Sequence, residues 1–313
     1  MIPTTIPHGR TARRLEWAHL PPHVRALIER RTGSPVVSAD SQTAGFTPGF
    51  ASVLTCADGG RHFVKAASLK AQRPFAESYR EEARKLRALP GAAPAPRLLW
   101  THDGDDWVVL GTEYVDARRP RRPWRERDLE AALTMLGDVA SSLTPAPVQL
   151  GLDDFATEFA DWPAYWDVLR TRRPDLSHLD EAAALATRFA EVTAGTTVVH
   201  TDVRDDNILL AADGRVLMCD WNWPVVGAAW LDTLLLLIGP RGDGLDVEAV
   251  LATNPLTREV PAEHVDIVLA LVTGYFLKSA GDPVPPTSPY VRDVQRWQGE
   301  VVWEWLCERR GWA

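Results

Sequence analysis

The sequence predicts an α+β fold in two unequal lobes, and three observations carry that prediction. Strand-like runs crowd residues 35–115 around a single helical pattern, helical periodicity dominates from residue 116 onward, and one compact β segment, 198–221, interrupts the helical half. The chain therefore divides into an N-terminal extension (1–34), a small lobe (35–115) and a large lobe (116–313). With 313 residues, 45% hydrophobic and 24% charged, it can bury a sizeable core, which excludes disorder, collagen and a disulfide-stapled miniature.

The small-lobe strands are expected at 36–37, 50–55, 61–66, 97–101 and 107–115, separated by turn signals such as Asp58-Gly59-Gly60 and Asp103-Gly104. Their helix, 76–89, carries Tyr79, Ala83, Leu86 and Leu89 at spacings of three and four and stops at Pro90-Gly91. The basic, proline-rich stretch 118–125 reads as a surface connector. Beyond it helices are expected at 128–143, 164–172, 179–192, 262–280 and 289–309, the last with Ser288 as cap and Pro289 at its first position.

The balance of 34 basic against 42 acidic side chains, a net charge of −8, argues against a sequence-independent grip on nucleic acid and suits a neutral or cationic substrate. Cys56, Cys219 and Cys307 are widely spaced with no CxxC pair, so neither a zinc site nor a disulfide framework is suggested and a cytoplasmic setting is the expectation. Residues 1–14 lack an apolar core of signal-peptide length, and the strongest apolar run, 234–238, is bounded by Asp232 and Gly239-Pro240. No membrane partner is expected.

Chemistry concentrates in 198–221, where two apolar runs flank Asp213-Gly214, a hairpin signal. If Ala212 faces Arg215 across that turn, the same register sets Asn207 opposite Asp220, with Cα atoms about 4.5–5.5 Å apart. An amide oxygen beside a carboxylate is a hard-oxygen pair of the kind that a nucleotide-bound Mg²⁺ takes, since that ion keeps most of its water and uses one or two protein groups beside substrate phosphates. The alternative is that both residues merely cap strand ends. Asp202 lies five residues before Asn207, in a stretch with Arg204, Asp205 and Asp206 that is too charged for a core strand. In a cleft loop its carboxylate could accept the proton of an attacking hydroxyl.

In the small lobe, Gly45 and Gly49 lie in a loop between two strands whose backbone could cover phosphates. Lys65 interrupts the apolar run Phe63-Val64-Lys65-Ala66, and Glu82 falls on the buried helical stripe, three after Tyr79 and four before Leu86. Glu81 points about 100° away. A carboxylate on an apolar face needs a cation, and Lys65 is the natural candidate.

The order Lys65, Glu82, His200-x-Asp202-x-x-x-x-Asn207, Asp220 resembles the protein-kinase-like fold, with its strand lysine, helix glutamate, catalytic Asp and Asn, and metal Asp. His200-Thr201-Asp202, Asp220-Trp221-Asn222 and Gly227-Ala228-Ala229-Trp230-Leu231-Asp232 look like the aminoglycoside phosphotransferase branch, over roughly residues 41–238. The chain further resembles actinobacterial members with a Gly-Phe-Ser/Thr-Pro-Gly loop and an Asp-x-Arg-x-Asp-Asn catalytic loop, a resemblance that assigns no substrate.

The resemblance implies an ATP- and Mg²⁺-dependent kinase acting on a hydroxyl of a small molecule. Asp202 would be the catalytic base, and Asn207 and Asp220 would hold Mg²⁺. Lys65, fixed by Glu82, would contact nucleotide phosphates, and the hinge from Glu113 to Val115 would offer backbone groups to the purine. Arg204 would bring charge toward the γ-phosphate, while His200 and Asp232 would brace the catalytic loop. Thr201 departs from the glycine often found there, and Pro48 stiffens the phosphate loop.

Tryptophans Trp162, Trp166, Trp221 and Trp223 are candidates either for acceptor-site walls or for core. An acidic cluster, Asp153, Asp154, Glu158, Asp161 and Asp167, is compatible with a polycationic acceptor or with a solvated face. An antibiotic and a metabolite of choline, sugar or homoserine type are both open as acceptors. The rival reading is a nucleotide-binding pseudokinase acting as an interaction module.

Overall fold

In the small-lobe strands successive side chains point to opposite faces and buried apolar ones run consecutively, as at Val108-Val109-Leu110, so both faces of the sheet need a cover. The computed structural model describes residues 1–313 apart from 3, 5, 8 and 313. In it α1 (Pro22–Thr32) precedes β1 (Val36–Ser41), β2 (Phe50–Cys56) and β3 (Arg61–Ser68), and α2 (Arg73–Ala88) precedes β4 (Leu98–Asp103) and β5 (Trp107–Glu113). The strands form an antiparallel five-stranded sheet in the order β1-β2-β3-β5-β4. Phe50, Leu54, Val64, Ala66 and Val109 pack with Val24 and Ile28 of α1 on one face. Ala67, Val108 and Leu110 pack with Ala76, Tyr79 and Ala83 of α2 on the other. The helix α1, which has no counterpart in the sequence expectation, thus completes the small-lobe core from within residues 1–34.

The large lobe begins with β6 (Ala117–Arg118) and α3 (Glu126–Ser142), followed by α4 (Phe155–Glu158), α5 (Tyr165–Arg172), α6 (Leu179–Ala186) and α7 (Phe189–Thr193). Then come β7 (Thr197–Val199), β8 (Ile208–Ala211), β9 (Val216–Met218) and β10 (Val225–Gly227), and finally α8 (Leu231–Gly242), α9 (Val247–Thr253), α10 (Ala262–Ala280) and α11 (Val291–Arg310). The central helix is α10, buried from Val265 to Gly274 and apolar over that stretch apart from Asp266, which pairs with Arg309, and Thr273. Among the described residues no helix is long and apolar enough to cross a membrane.

Three expectations need correction. The helix expected over 179–192 breaks between α6 and α7, where the Thr187 hydroxyl donates back to Ala184 O at 2.7 Å and the Arg188 N–H tightens onto Leu185 O at 3.0 Å. Helix α11 starts at Val291 with Tyr290 as its cap residue, because the Ser288 hydroxyl donates instead to Phe46 O in the small-lobe loop. The hairpin of β8 and β9 is one residue out of the expected register: Ile208 faces Met218 and Leu210 faces Val216.

The loop accounts for that slip. Ala211 N–H donates to Arg215 O at 2.9 Å and Gly214, at φ +89°, donates to Ala211 O at 3.1 Å, a three-residue turn closed by glycine in the left-handed region. Cys219, not Asp220, therefore bonds across to Asn207, N–H to O at 2.9 Å. A one-residue slip alone would turn Asp220 to the other face. Asp220 sits at φ +70°, so the strand alternation ends there and its carboxylate still enters the interlobe cleft.

Candidate active site

Lys65 lies on β3 opposite Leu110 of β5, on the face that α2 covers. Its Nζ meets both carboxylate oxygens of Glu82 at 2.7 Å and Asp220 Oδ1 at 2.6 Å, joining strand, helix and large-lobe loop in one buried ionic contact. Burial works against ionisation of Asp220, but the Lys65 charge and hydrogen bond outweigh it and hold the carboxyl at about 2. Burial likewise opposes the charge on Lys65, and Asp220 and Glu82 together drive its pKa upward. Burial pushes the Glu82 carboxyl up against the pull of Lys65. Glu81, one residue away, lies outside the stripe and pairs with Arg84 at 2.9 Å. A second tie runs from α2 to the same loop, where buried Lys85 Nζ donates to Asn222 O at 2.6 Å.

The loop between β7 and β8, which carries Asp202, is braced from behind. Buried Asp232, at the start of α8, accepts from the His200 N–H at 2.7 Å and the Thr201 N–H at 3.0 Å, while His200 Nε2 lies 3.1 Å from Cys219 O. Thr201 is held at φ +68°, a strained conformation for a β-branched residue, with its hydroxyl donating to Trp223 O at 3.0 Å. In front, the Asn207 amide donates to Asp202 O at 2.9 Å and to Asp202 Oδ2 at 3.0 Å, and Arg204 Nε approaches Asp202 Oδ1 at 2.7 Å. Arg204 also reaches Asp206 at 3.5 Å and lies over the Phe46 ring, 5.0 Å from its centroid.

Two cavities meet along this loop. The one of 530 Å³ is lined by Gly45, Lys65, Glu82, Glu113, Tyr114, Val115, Asn207 and Asp220. The other, of 430 Å³, is lined by Asp202 and Arg204. His200 and Asp232 line neither and stand behind the loop. Gly49 also lines neither cavity; a side chain there would clash with Tyr79, whose Oη lies 2.6 Å from an ideal Cβ. The hinge is pinned through Glu113, which accepts from Arg97 N–H at 3.0 Å and pairs with Arg215 of the hairpin at 3.2 Å.

Whether the residues present suit Mg²⁺ is answered by the donor chemistry. The amide nitrogen of Asn207 is spent on Asp202, which leaves its oxygen as the acceptor. Asp220 Oδ1 is taken by Lys65 and by the Asn222 amide at 3.0 Å, leaving Oδ2. A further buried oxygen, Asp206 Oδ1, has no partner in the same cavity wall among the described residues. Hard oxygens with few carboxylates fit an ion that also takes phosphate and water, and no cluster of three or more His, Cys, Asp or Glu among the described residues offers a complete cage.

Several lining residues had no signal in the sequence reading. Arg14 enters the larger cavity from a strap at residues 9–14, where the Thr11 and Ala12 N–H groups both donate to Thr43 O at 3.0 Å and Arg14 Nη2 donates to Ala44 O at 2.8 Å. Its Nε and Nη1 are buried without a partner among the described residues. Phe46, Phe159 and Tyr275 line the smaller cavity, as do Trp162 and Trp223, whereas Trp166 and Trp221 are core. Of the acidic cluster only Glu158 lines it; Asp154 caps α4 and Asp167 pairs with Arg170.

A family model described as the APH phosphotransferase enzyme family matches residues 52–261. Among solved structures, an aminoglycoside phosphotransferase from Alicyclobacillus acidocaldarius superposes with a TM-score of 0.61 at 17% identity, covering 95% of this chain and 97% of that one. A spectinomycin phosphotransferase in complex with ADP and spectinomycin gives a TM-score of 0.67 at 9% identity, covering 92% and 98%. The choline kinase LicA from Streptococcus pneumoniae gives 0.59 at 14%, covering 89% and 99%. At these identities the likeness shows the fold, which is kinase-like. No curated protein matches the sequence at the significance threshold.

Proposed function

The chain belongs to the APH phosphotransferase enzyme family, and on that premise we propose that it is a Mg-ATP-dependent kinase that transfers the γ-phosphoryl group to a hydroxyl of a small molecule. The observation that carries this reading is the span of one short loop: Asp202 faces the smaller cavity while Asn207, five residues on and bonded to it, faces the larger. Nucleotide in one and acceptor in the other would meet at Asp202.

In this mechanism Asp202 takes the proton of the acceptor hydroxyl as its oxygen bonds to the γ-phosphorus and the bond to the ADP leaving oxygen breaks. Asn207 and Arg204 fix the orientation of that carboxylate, so little rearrangement is needed at the moment of transfer. Lys65, kept charged by Asp220 and Glu82, would contact the α- and β-phosphates, and Arg14 would add a second cation to the same cavity. Arg204 would stand beside the transferred group. Mg²⁺, held by Asn207 and Asp220, would supply charge neutralisation between the phosphates.

The test is acceptor-dependent ADP release by purified protein with Mg-ATP. Asp202→Asn should lower kcat by about 10³-fold while nucleotide binding is retained. Nucleotide binding with no turnover for any acceptor would favour the interaction-module alternative, against which stands the presence of every group the transfer requires.

A further inference from the structure

The acceptor cavity is walled by rings that pack on one another. Phe155 and Phe159 contact edge to face with centroids 4.5 Å apart, Phe159 and Trp162 lie 4.4 Å apart, and Trp162 stacks on Tyr275 at 4.1 Å with planes 7° from parallel. These contacts join α4, the following turn and α10 into one aromatic wall, so its shape is set before any ligand arrives. Burial first, and the Asp202 charge next, push the Tyr275 phenol upward, which keeps it a neutral hydroxyl.

Charge is scarce by comparison. Of nineteen lining residues the charged ones are Glu158, Asp202 and Arg204. Asp202 pairs with Arg204 at 2.7 Å, a cation that Asp206 shares at 3.5 Å, while Glu158, exposed at the rim with Lys85 near enough to feel its charge, has no ion pair among the described residues and is the carboxylate most open to a ligand cation. One ligand cation could be answered there. Each further ammonium group would find no second unpaired carboxylate, only ring faces and the neutral amides of Gln295 and Gln298, which answer a desolvated charge more weakly than an ion pair does. The 430 Å³ volume suits a molecule well above choline in size.

We propose that the acceptor is an amphipathic alcohol, with a broad apolar face against the aromatic wall, a hydroxyl at Asp202 and at most one cationic group near Glu158. The proposal rests on the kinase reading for its reaction, in which the alcohol oxygen gains the phosphoryl group, Asp202 takes its proton and ADP leaves. It runs against the polycationic acceptor that the acidic cluster had left open.

Binding and turnover separate the two readings. Three probes are titrated without nucleotide and read by tryptophan fluorescence and calorimetry: octyl glucoside below its micellar concentration, its monocationic analogue N-octylglucamine, and the polyamine sugar kanamycin. Both amphipaths should bind at least about tenfold more tightly than kanamycin. Glu158→Gln should weaken N-octylglucamine about fivefold and leave octyl glucoside unchanged. Trp223→Ala, at a position 61% exposed where folding is not at stake, should weaken both. Kanamycin binding as tightly as the amphipaths, or no binding of either amphipath, overturns the proposal. If the amphipaths bind as expected but no acceptor elicits ADP release, the ligand class stands and the kinase reading falls.

Discussion

The cavity beneath the sheet presents Arg14, Lys65, Glu82, Arg119, Asp206 and Asp220, drawn from both lobes, with Lys65, Glu82 and Asp220 locked in one ionic contact. Across the loop 200–207, the second cavity is faced mainly by stacked rings and aliphatic side chains, with one rim carboxylate, Glu158, that has no ion pair among the described residues. On the proposed function the contrast follows from what each cavity would recognise. A triphosphate is a fixed pattern of charge, which discrete cations and hard oxygens match at set distances. An organic acceptor offers mainly surface, which shape and apolar area match. One chain can therefore keep the first cavity constant and vary the second.

Substitutions that spare one cavity sharpen the comparison. The largest effect after Asp202→Asn is expected at the ionic contact: Lys65→Ala and Glu82→Ala should each lower kcat/KM for ATP by about 10²-fold, and the double variant should lose less than the product, because each single change already breaks the same pair. Strictly multiplicative losses in a double-mutant cycle would dissolve the pairing as a functional unit.

Next comes Arg14→Ala, expected to raise the KM for ATP about tenfold with the acceptor KM unchanged, as loss of one charged contact to phosphate would do. If acceptor KM moves instead, the strap serves the wrong cavity. Conformational strain in the catalytic loop gives a smaller effect. Thr201→Ala keeps φ +68° and loses the hydroxyl bond to Trp223 O, and should cost about 1 kcal/mol in denaturant unfolding. Thr201→Gly loses the same bond but relieves the left-handed strain, and should fall within about 0.5 kcal/mol of the parent. Smallest of all is Glu81→Ala, whose exposed pair with Arg84 contributes at most about 0.5 kcal/mol; kinetics for ATP should not change.

Lys65 and Glu82 were legible because each breaks an apolar pattern: a charge in a strand of buried residues, or on the buried stripe of a helix, must find its opposite. The order of Asp202, Asn207 and Asp220 was legible for a related reason, since a short charged loop followed by a hairpin confines them to one end of it. Their exact register was not. A turn of two residues and a turn of three are both compatible with Ala212-Asp213-Gly214, and it took the left-handed Gly214 and Asp220 to set which side chains share a face.

The linear chain thus fixed the α+β division, the strands of the small lobe and, of the larger cavity's charged groups, Lys65, Glu82 and Asp220, all of which depend on periodicities and pairings over short spans. Tertiary structure alone decided the aromatic wall, the strap that carries Arg14 and the helix α1 that seals the sheet. Phe46, Phe159, Trp223 and Tyr275 come from four distant stretches, and an aromatic residue in any one of them reads equally as core. Apolar surface has no obligatory partner type, so which rings stay buried among themselves and which border a cavity is set only when the helices pack.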